Sequence, residues 1–191
     1  SQPGETWTMI DSHQASEALA DIDDVVQRVR QSRIYRISGL IVTMWGVLLF
    51  AAYIANYSWP REGYTIWTIT NLTGLVGSVA LGVFSNIRSG GKPFPLRSLT
   101  TFLLIGAFGV FCSVVLGHFG ARQAIVFWAL YGMLFYAIAG LWFGYAFIVI
   151  AICTTALTLI GYYYIGAAFM LWMAVAHGGG LIAGGFWMRR S

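Results

Sequence analysis

The sequence predicts an all-α, polytopic bundle of six membrane-spanning helices, preceded by an amphipathic cytoplasmic helix, and three observations predict it. Only 9% of the 191 residues are charged while 58% are hydrophobic. A soluble domain carries roughly 25% charged residues, so most of this surface must face something other than water. From Gln123 to Met188 there is no Asp, Glu, Lys or Arg at all. The basic residues that remain fall almost entirely on one side of a six-pass arrangement. Mean hydropathy of +0.72 agrees, and the eight Trp and ten Tyr suit rings that sit at a bilayer–water boundary.

The first element is polar. Six of the seven acidic residues lie within the first 24 positions. Within 13–33, Ala15, Ala18, Leu19, Ile22, Val25, Val26 and Val29 recur at three- and four-residue spacing, one apolar stripe of a helix. Asp11 and Gln14 suit its start. Acidic residues fill its early turns and Arg28, Arg30 and Arg33 its last, which complements the helix dipole. The stripe needs a cover: the membrane surface, the bundle itself, a protein partner or a second copy of the chain. Residues 1–33 are therefore read as a lead-in and arm, and 34–191 as the transmembrane domain.

A span needs about 20 apolar residues. The first three are expected at 37–56, 65–86 and 99–119. The first run is too long, and lacks the cleavage site, for a signal peptide. The uncharged stretch of 66 residues divides into three more, near 124–142, 144–162 and 165–187, with hairpins at Gly140–Gly144 and Gly161–Gly166. Both termini are then expected in the cytoplasm, with a bacterial inner membrane as the location. Arg28, Arg30, Arg33, Arg36, Arg88, Lys92, Arg97, Arg189 and Arg190 collect on that side, against Arg61 and Arg122 opposite. Folding the uncharged stretch into two spans would weaken this positive-inside bias. The connection Arg88–Ser98 is rich in Gly and Pro and splits the first two spans from the rest. No internal repeat supports an inverted-repeat transporter.

Several activities are excluded. Basic residues that flank apolar segments are a topology signal, so no nucleic-acid partner is expected. No carboxylate lies within a span, which argues against ion-coupled transport, and no span lysine is available for a retinal Schiff base. Phosphate-loop, nucleophile-elbow and zinc-protease motifs are missing. Cys112 and Cys153 read as small buried apolar side chains.

His177 is the most informative residue. It sits roughly 18 Å into the last span, where a polar ring needs a partner. It could be a haem ligand, a proton relay or a substrate contact, or simply a neutral ring bonded to a neighbouring carbonyl or hydroxyl. Gly178 and Gly179 beside it allow close helix contact or room for a ligand. His118 differs from it in depth by roughly 15 Å, too far for both to ligate one iron. Asn71, with Thr68, Thr70, Thr73 and Ser78, makes the second span the most polar. The match of Asn71 and Thr73 to a glycosylation pattern is disregarded at membrane depth. Gly74, Ser78 and Gly82, and likewise Ala176, Gly180 and Gly184, form four-residue stripes of small side chains that let helices approach. Trp187 with Arg189 and Arg190 reads as an interfacial anchor.

Three functions remain. The first is a non-enzymatic subunit, sensor or regulator acting through partner contacts. The second is a small permease or channel for an uncharged solute, with Asn71, His177, Gly178 and Gly179 facing the pathway. The third is a redox protein with haem on His177. No cofactor or metal is expected under the first.

Overall fold

A computed structural model of the chain describes residues 12–88, 96–115 and 119–190. Every element among them is helical. Helix α1 runs unbroken from Ser12 to Ser58, 47 residues. The amphipathic arm and the first span, expected as separate helices, are therefore one rod. Nothing between Ser32 and Ile37 breaks a helix, and the first proline after the lead-in is Pro60. That proline opens a short 3₁₀ turn, Pro60–Glu62, from which α2 runs Gly63–Arg88. Helix α3 follows at Leu96–Val115, then α4 at Ala121–Phe143 and α5 at Tyr145–Tyr164. The last helix has three parts: α6, Phe169–Met173; a π turn, Ala174–Gly179; and α7, Gly180–Arg190.

Among the described residues five helices are long and apolar enough to cross a membrane: Tyr35–Ser58, Pro60–Ser85, Ala121–Phe143, Tyr145–Tyr164 and Phe169–Arg190. Helix α3 carries a further apolar stretch, Leu103–Val115.

The last helix is the centre of the bundle. One face lies on α1 and another on α5, which forms a hairpin with α4. Helix α2 packs on α1, and the main contact of α3 is α4. The seam between α1 and the last helix is built from small residues. A side chain at Gly46 would strike the backbone nitrogen of Ile182 at 2.7 Å, and one at Gly39 the carbonyl of Gly185 at 2.8 Å. Such close approach is how helices gain dispersion energy where no water drives them together. Gly184 turns the other way and admits the side chain of Ile150 from α5. In the second span Gly74 makes room for the ring of Trp45, whose indole N–H donates to Ser78 at 2.9 Å.

The α4–α5 turn is Gly144, at φ 127°, where a Cβ would also strike the hydroxyl of Tyr35. Only glycine takes that φ without strain. Cys153, expected to be buried, is exposed on the outside of α5, while Cys112 is half-buried, and both thiols are free. An outward apolar position on such a helix needs no protein cover, which periodicity alone does not reveal.

Candidate functional site around His177

His177 lies in the π turn of the last helix. A π turn inserts an extra residue into the helical ladder and is frequent at functional sites. Gly178, Gly179 and Gly180 follow immediately, and glycine is among the weakest helix formers. Gly178 is pressed on α1: a Cβ there would sit 2.7 Å from the Cα of Phe50. Gly179 is open by comparison, with nothing closer than the Ala174 carbonyl at 3.9 Å.

One turn beyond Phe50, Tyr53 reaches the site. Its hydroxyl and Nδ1 of His177 are hydrogen-bonded at 3.0 Å. Both side chains are buried, at 2% and 6% exposure. The Tyr53 ring meets Trp67 of α2 edge-on, with centroids 5.0 Å apart. Three helices thus converge on this hydroxyl–imidazole pair. Tyr53 is the hydrogen-bond partner of His177 among the described residues, which leaves Nε2 without one. Chemically the pair can pass a proton between oxygen and nitrogen, and Nε2 can bind a donor, an acceptor or a metal depending on its tautomer.

Asn71 does not join this pair. It is exposed on α2, and its amide donates back to the Trp67 carbonyl at 2.7 Å. Thr70 is buried and bonds the Ile66 carbonyl, and Thr68 the Tyr64 carbonyl. His118 lies outside the described residues. Among those residues no group of three or more His, Cys, Asp or Glu is placed to hold a metal ion.

A second polar centre escaped the sequence reading. Arg122, at the start of α4, sends Nη2 to the carbonyls of Tyr162 at 2.7 Å and Gly161 at 3.0 Å, and it also meets that of Ile165. Its guanidinium lies 4.5 Å from the centre of the Phe169 ring. A cation here bonds carbonyls at the end of α5, of which that of Gly161 also accepts from the Ile165 N–H, and complements the negative end of the helix. Its position just before the uncharged stretch was visible, but its target, 40 residues on, was not. Beside it an open apolar groove of about 260 Å³ runs between α4 and α5, lined by Phe119, Val126, Phe127, Leu159 and Tyr163 among others.

Among the described residues, fold and site together define a helical protein with five helices long and apolar enough to cross a membrane and a buried tyrosine–histidine pair between α1 and the last helix. No protein-family model, curated protein or solved structure matches the chain.

Proposed function

We propose that this chain is a six-span protein of a bacterial inner membrane, with both ends in the cytoplasm, that acts without catalysis as a subunit, sensor or regulator. The observation that carries this reading is the continuity of α1. Leu19 and Ile22 lie on the arm at 64% and 58% exposure. The same helix continues for about 51 Å to Tyr53, at 1.5 Å per residue. A partner that seats on the arm therefore acts directly on the seam that holds His177, since a stiff element can carry a displacement between sites. The charge distribution supports the orientation, with nine basic residues on one side and two on the other.

The test compares tagged wild type with a Leu19→Asp/Ile22→Asp double variant after cross-linking in native membranes. A drop of at least ten-fold in the cross-linked partner, with unchanged melting of the bundle, is expected. Equal cross-linking would overturn the reading. A permease for an uncharged solute is the second reading, and it draws on the π turn at His177. In that case His177→Phe changes solute flux into liposomes, and identical flux sinks it.

A further inference from the structure

Helix α2 meets α1 along one seam, where Trp67, Thr70, Gly74 and Ser78 lie. Beside that seam runs a second stripe: Tyr64, Thr68, Asn71, Leu75 and Gly82, at intervals of four, three, four and seven. This rhythm keeps side chains on the side of a helix that packs against another helix. Yet Tyr64 is 87% and Leu75 42% exposed, and Thr68 and Asn71 are exposed as well.

Asn71 stands near the middle of its span, about 16 Å along the helix from Pro60 and 21 Å from Ser85 at 1.5 Å per residue. One amide N–H is used on the Trp67 carbonyl. The second N–H and the side-chain oxygen have no partner among the described residues. Hydrocarbon offers them none, and an amide left open at that depth is costly.

We propose that this stripe is the contact between two copies of this chain, with Asn71 hydrogen-bonded to Asn71 of the second copy. A carboxamide carries both donor and acceptor, so it complements itself. A two-fold axis along the membrane normal brings the same residue to the same depth on both sides. An unrelated partner would need its own amide or hydroxyl at that level, whereas a second copy supplies one by symmetry. Thr68 and Gly82 are small enough to let the two α2 helices approach. The dimer uses a different surface from the arm and stands whichever function is correct.

The experiment uses the full chain in native membranes, with Cys112→Ser and Cys153→Ser as background. Single variants Leu75→Cys, on the stripe, and Val76→Cys, off it, are oxidised. Leu75→Cys should give a disulfide-linked species of twice the chain mass, with a yield at least ten-fold above Val76→Cys. Adding Asn71→Leu should lower that yield about five-fold, and Asn71→Gln should preserve it. Equal yields from both cysteines, no dimer, a product with a protein of another mass, or indifference to Asn71→Leu would each overturn the proposal.

Discussion

At the residue scale the seam between α1 and the last helix turns on atoms rather than on classes of side chain. Gly178 and Gly179 are neighbours in the same π turn and looked equivalent in the sequence. In the structure one is pressed on the Phe50 backbone and the other is open. Gly178→Ala should therefore cost about 1–3 kcal/mol, because backbone cannot move aside as a side chain can. Gly179→Ala should be neutral or stabilise by up to about 1 kcal/mol through helix propensity. Thermal unfolding in detergent separates the two, and equal melting of both variants would contradict the packing described here. Tyr53→Phe removes the hydroxyl bonded to His177 and should cost about 1 kcal/mol. His177→Phe in the same background should then add less than in the wild type, a coupling that a double-mutant cycle measures. His177 was legible in the sequence because it is the one strongly polar ring in a long uncharged run. Tyr53 was not, since ten tyrosines share its pattern and only the fold picks one.

At the element scale two features shape the bundle. The first is the length of α1. If arm and span are one rod, Ile34→Pro should break it, since proline in a helix interior costs about 3 kcal/mol or more. Limited proteolysis should then cut near residue 34 and leave the Tyr35–Arg190 bundle intact, whereas an unchanged cleavage pattern would contradict a continuous helix. The amphipathic stripe and the apolar run were both visible in the sequence. Their fusion does not show in the pattern, because charge changes sharply near residue 36. Helix propensity does not follow composition in that way. The second feature is Arg122, which ties the start of α4 to the end of α5. Arg122→Met keeps the stem but loses the carbonyl bonds, and should cost about 2 kcal/mol on the scale of charged hydrogen bonds. Melting of the variant near wild type would show that the remaining α4–α5 packing is sufficient.

At the scale of the whole molecule, topology and assembly follow from where charge and apolar surface lie. Cysteine labelling from the two sides of sealed membranes should place residues near Ser16 and Ser191 on the same side, and Ser58 opposite. Termini on opposite sides would remove the six-pass arrangement. Helix α3, Leu96–Val115, matters most here, since it must cross for both termini to share a side. Much apolar surface on α2 and α3 faces outward, including Ile69, Val76, Phe108 and Phe111. Lipid tails or neighbouring copies are the natural cover for it.

The sequence by itself determined that the chain is helical and that most of it is too apolar to face water. Those properties follow from local composition, because uncharged segments of this length must satisfy their peptide groups within a helix. It also showed which polar residues stand out, since each lies in an uncharged run. Which of them meet was decided only by tertiary structure. The small-residue seam joins α1 to the last helix across more than a hundred positions. It sets Tyr53 against His177 and leaves Asn71 outside. Such pairings depend on the rotation and register of whole helices, which the sum of many close contacts fixes and no local pattern encodes.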